Sequence, residues 1–121
     1  MIDSASNAFL KEHNRENFRM QYEFDEKIDE AIQKSVRAAL RHFKERQKLA
    51  QDSGGPQRPP TYEEFASVVD QFMEVSKGAN MNKLRTPNLR DLFERAWAQK
   101  LRNYATQRHF RDAYEAIMRR Y

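Results

Sequence analysis

The chain has 121 residues, no cysteine, and 22 basic against 18 acidic side chains. That length allows one domain at most, and the absence of cysteine excludes a disulfide scaffold and any thiolate metal site. Hydrophobic residues make up 39% and charged residues 33%, against roughly 45–50% and 25% in an average soluble domain.

Mean hydropathy is −1.03. A core is therefore thin, and the helices either form an extended set or complete their burial on a partner. Eight Phe, five Tyr and one Trp argue against a wholly disordered chain, which is usually poor in aromatics. No run of about 18 apolar residues is present, which excludes a membrane-spanning helix. Residues Met1 to Leu10 lack the basic region and apolar core of a secretory signal. Asp3 and Glu12 also disfavour a mitochondrial presequence, so the expected location is cytoplasmic. Charge is uneven. Residues 1–76 hold 11 basic and 14 acidic side chains, and residues 77–121 hold 11 basic and 4 acidic. The C-terminal part is expected to meet something acidic, either nucleic acid or an acidic protein surface.

The first expected helical segment runs from about Ser4 to Met20, with Ser4 or Ser6 as N-cap. Phe9, Leu10, His13 and Phe18 make only a sparse stripe on it. Met20 to Phe24 alternates apolar and polar residues, which suits a strand or a helix equally. Ile28, Ile32, Val36, Leu40 and Phe43 then recur at spacings of four, four, four and three, which places them on one helical face. Ala31, Ala38 and Ala39 widen that face. Acids from Glu23 to Glu30 precede the bases Lys34, Arg37, Arg41, Lys44, Arg46 and Lys48, an order that complements the helix dipole. This helix is expected to end near Gln51.

Residues 52–60 hold two of the three glycines and three of the four prolines and read as a linker. Thr61-Tyr-Glu-Glu64 is a capping box that opens a helix with Phe65, Val68, Val69, Phe72 and Met73 on its apolar face. Lys77 and Gly78 are expected to end it. Met81 and Leu84 are candidate anchors in the connection that follows. Thr86-Pro87 starts the last helix. Its stripe is Leu89, Leu92, Phe93, Ala96, Trp97, Leu101 and Tyr104, continued by Phe110, Ala113, Tyr114, Ile117 and Tyr121. Asn103 and Thr106 are weak helix formers, so a break near Tyr104–Gln107 is compatible with the pattern. The expected fold class is all-α: a small extended bundle of three to four helices, some long, with a Gly/Pro linker. Its parts would be a charged helical arm (1–51), the linker (52–60) and a helical domain (61–121).

Catalytic patterns are missing. His13, His42 and His109 are far apart and show no HExxH-like spacing, so zinc ligation lacks its geometry. Gly54-Gly55 is followed by no Lys-Ser/Thr, and no nucleophile elbow is present. The acids of 23–30 lack the glycine and ligand spacing of a calcium loop. We expect no enzyme activity, no cofactor and no metal. The basic C-terminal stretch is the candidate binding surface: Arg90, Arg95, Trp97, Lys100, Arg102, Tyr104, Arg108, Arg111 and Tyr114. Arginine forks grip carboxylates and phosphates. Interleaved aromatics suit RNA bases, while their helical spacing suits burial against a core or partner helix.

Thr61-Tyr-Glu-Glu-Phe-Ala-Ser-Val-Val69, preceded by the charged helix Ile28–Gln51, resembles the N-terminal domain of the ciliary coiled-coil dynein-attachment factors. That family leads from a charged helix into a Tyr-(Glu/Asp)-Glu-Phe segment and an aliphatic pair. The family's His-Leu-Lys-Pro-Leu continuation is replaced here by Phe72-Met-Glu-Val75, and the Gly/Pro linker also differs. The likeness spans about ten residues closely and roughly forty loosely. It implies an axonemal or cytoskeletal setting and transfers no functional residue. The expected function is a non-catalytic helical adaptor or structural subunit of a larger protein assembly. The alternative is an RNA-binding component of a ribonucleoprotein that uses the Arg-rich C-terminal helix.

Overall fold

The computed structural model describes residues 4–56 and 58–121, with side chains from residue 19 onward. The expectations for Phe9, Leu10, His13, Phe18 and the caps at Ser4 or Ser6 fall on side chains outside the described residues. The described chain is all-α, with four helices and no strand: α1 (Ser4–Asp52), α2 (Tyr62–Met81), α3 (Pro87–Arg102) and α4 (Tyr104–Met118).

α1 is one continuous helix of 49 residues, about 74 Å at 1.5 Å per residue. No Gly or Pro occurs between Ser4 and Asp52 to interrupt it, so the alternating stretch at Met20–Phe24 is helical. Phe24, Ile28, Ala31, Ile32, Val36, Ala39 and Phe43 are buried on one face. They supply more than half of the buried apolar residues, so this half of α1 is built into one core with residues 61–121. The helix ends where glycine permits it. The Gly54 N–H donates to the Gln51 carbonyl at 3.2 Å, and the Gly55 N–H to the Ala50 carbonyl at 3.1 Å. This Schellman arrangement needs a left-handed residue, and Gly54 has φ 69°.

α2 runs back along α1, and α3 with α4 run up again. Phe43 and Phe65 face each other at one end of the bundle, with ring centroids 6.2 Å apart. At the other end Phe24 meets Phe93 edge-on at 5.3 Å, and Lys77 of α2 lies 3.7 Å from Glu94 of α3. The result is an up-down-up bundle whose third member is α3 plus α4. The Thr61 hydroxyl accepts from the Glu64 N–H at 3.1 Å, and the Thr86 hydroxyl from the Leu89 N–H at 3.2 Å. Both caps stand where the sequence puts them.

Two boundaries differ from expectation. α2 does not stop at Lys77-Gly78. It continues to Met81, because Met81 and Leu84 pack on the core and outweigh the cost of a helical glycine, about 1 kcal/mol. A methyl group added at Gly78 would meet nothing within 4 Å. Gly78→Ala is therefore expected to raise stability by about 0.5–1 kcal/mol in urea unfolding. A loss of stability would show that this turn is not helical in solution.

The long C-terminal helix is also broken, at Asn103 and so just before the expected stretch. Asn103 has φ −64° and ψ 133°, ends α3 through its N–H to the Lys100 carbonyl, and caps α4 by accepting from the Ala105 N–H. The break resets the helical phase. Tyr104, expected on the stripe, is 75% exposed, and Ile117 takes an inward position with Thr106.

Candidate interaction surface

The structure divides the nine expected binding residues. Trp97 is not a surface contact. It is 3% exposed in the core and lies 5.8 Å from Phe93, because a four-residue step on α3 puts both rings on the inward face. Tyr114 is half-buried and internally committed. Its hydroxyl donates to the Pro60 carbonyl at 2.9 Å, and its ring lies 5.4 Å from Tyr62 and 5.9 Å from Phe65. That bond ties the end of the linker to α4.

Most of the expected cations are also engaged within the chain. The Lys100 Nζ lies 3.1 Å from Asp29, joining α3 to α1. Arg95 pairs with Asp91 one turn away at 2.9 Å. The Arg90 Nε donates to the Leu84 carbonyl at 2.8 Å, and the Arg111 guanidinium sits 4.2 Å above the Tyr62 ring. Only Arg102, Tyr104 and Arg108 remain exposed without such a contact among the described residues.

A different basic surface forms where α1 and α4 lie side by side. Leu40, Arg41, Phe43, Lys44 and Gln47 of α1 face Ala116 and Ile117 of α4, with Arg120 and Tyr121 just beyond it, across a groove of about 300 Å³. The Gln47 Nε2 donates to the Arg120 carbonyl at 3.2 Å and fastens the end of α4 to α1. Beyond Phe43, Gln47 and Tyr121 lies a smaller hollow that adds Arg46 and Arg58. No Asp or Glu side chain lines either one. None of these five cations is held in an ion pair among the described residues.

Lys34, Arg37, Arg41, Lys44 and Lys48 recur at three and four residues along α1 and are all exposed, with Lys34 paired to Glu30 at 3.2 Å. In the sequence these bases read as complements of the helix dipole, and their spacing is the signal for a shared face. The meeting of Arg41 and Lys44 with Arg120, more than seventy residues away, has no such signal.

Perturbed titratable groups often mark catalytic sites. Among the described residues the two groups with a raised pKa lie elsewhere. A hydrogen bond from Tyr22 to Glu26, together with that carboxylate's charge, raises the Tyr22 pKa. Partial desolvation, with Glu74 one turn away, raises that of Asp70. Neither lines the groove. Among the described residues no group of three or more His, Asp or Glu side chains is placed to hold a metal ion. No described helix is long and apolar enough to cross a membrane.

Fold and surface together define an all-α bundle with an apolar-floored basic groove at one end. Compared with known proteins, the chain matches no family model, no curated protein and no solved structure.

Proposed function

We propose that this chain is a non-catalytic helical adaptor or structural subunit that docks on an acidic surface of another protein. The observation that carries this reading is the groove between α1 and α4, ringed by Arg41, Lys44 and Arg120 with no Asp or Glu side chain in its lining. Like charges gathered on one surface raise the local potential and steer an oppositely charged partner. The resemblance of residues 28–69 suggests the setting, an axonemal or microtubule-based assembly in the cytoplasm. RNA binding is less well supported. Trp97 is buried and Tyr114 half-buried, which removes most of the aromatic platform that bases would stack on.

The test is capture of partners on the immobilised chain, with and without nuclease, followed by mass spectrometry. The expected result is a protein partner that survives nuclease treatment. A triple variant, Arg41→Glu with Lys44→Glu and Arg120→Glu, is expected to weaken that partner about tenfold or more, which is 1.4 kcal/mol or more. Loss of every partner after nuclease would transfer the function to RNA. Undiminished binding by the triple variant would move the interface elsewhere.

A further inference from the structure

Resting on the reading above, we infer that the α1–α4 groove receives an acidic amphipathic helix from the partner. One or two apolar side chains of that helix would seat over Leu40, Ile117 and Tyr121, with its carboxylates against Arg41, Lys44 and Arg120. Three features point to this occupant.

The first is the floor. Leu40, Phe43, Ala116, Ile117 and Tyr121 line the groove beneath the cations. A surface built only for phosphates needs cations and backbone donors, not an aliphatic floor. Covering apolar area is favourable, and that gain is available only to a ligand with apolar side chains. The second is size. About 300 Å³ lies at the low end of small-molecule pockets, enough for one or two side chains that anchor a larger partner.

The third is shape and charge. α1 and α4 run in the same direction here, with Gln47 fastened to Arg120 and Phe43 beside Ile117. Two helices side by side offer the seat that amphipathic helices use, with anchors at i, i+3 or i+4. Cations stand on both walls, Arg41 and Lys44 on α1 and Arg120 just past α4, so both flanks of an acidic helix are met. The cations provide attraction and orientation, and the floor provides selectivity.

The test uses the full chain and three labelled probes read by fluorescence anisotropy. One is a helical Glu-rich peptide with Leu at i and i+4. The second is the same peptide with Ser at those positions and equal charge. The third is a single-stranded RNA. Two variants accompany the wild type. Ala116→Gln fills the groove from an exposed position without changing charge, and Arg41→Gln with Lys44→Gln strips one wall.

The Leu peptide is expected to bind about tenfold more tightly than the Ser peptide. Ala116→Gln should erase that margin and leave the Ser peptide unchanged, while the double Gln variant should weaken both. Equal binding of the two peptides to the wild type would overturn the groove inference and leave the acidic-surface reading standing. So would a Leu margin that survives Ala116→Gln. Failure of both peptides would overturn both readings, whatever the RNA does.

Discussion

Truncating Phe65 to alanine is expected to cost about 3–5 kcal/mol, the usual range for removing a buried phenyl ring. Phe65 is fully buried. Its ring lies 6.2 Å from Phe43 of α1 and 5.9 Å from Tyr114 of α4, so it is the point where three helices meet. A domain of this size has about 5–15 kcal/mol in total, and the core is thin. The variant should therefore be marginal at room temperature, with its urea midpoint read by circular dichroism shifted far down. Phe43 packs on Phe65 and also lines the groove, so peptide binding should weaken with the fold. A cost below about 1 kcal/mol would mean that α2 is not packed on α1 in solution.

Trp97→Ala is expected to cost a similar amount, about 3–5 kcal/mol, with no loss of partner binding under conditions where the variant stays folded. Trp97 is the sole tryptophan and is buried against Phe93. Its native fluorescence should be blue-shifted and should move to the red on unfolding, which gives an internal check. The opposite outcome, stability kept and binding lost, would return Trp97 to the surface role that its place among arginines suggested.

Four of the six cations expected on the C-terminal surface have a partner within the chain. Arg90, Arg95, Lys100 and Arg111 are as basic as expected, yet each faces a carbonyl, a carboxylate or an aromatic ring of the same chain. Net charge along a segment does not say which cations meet an internal partner. Asp29, which holds Lys100, lies on a different helix from it.

Features that depend on neighbours within a few residues are legible in the sequence. These are the helical stripes of α1 and α2 (apart from Phe72, which is exposed), the caps at Thr61 and Thr86, and the end of α1 at Asp52 before the left-handed Gly54. Periodicity and capping act over one or two turns, so a linear reading reaches them. Tertiary packing sets how far α2 runs past Gly78 and leaves Tyr104 pointing out. It alone brought Arg41 and Lys44 beside Arg120. The reason is physical. Each of these outcomes rests on burial or charge shared between helices far apart in the chain, and that energy exists only once the helices have packed.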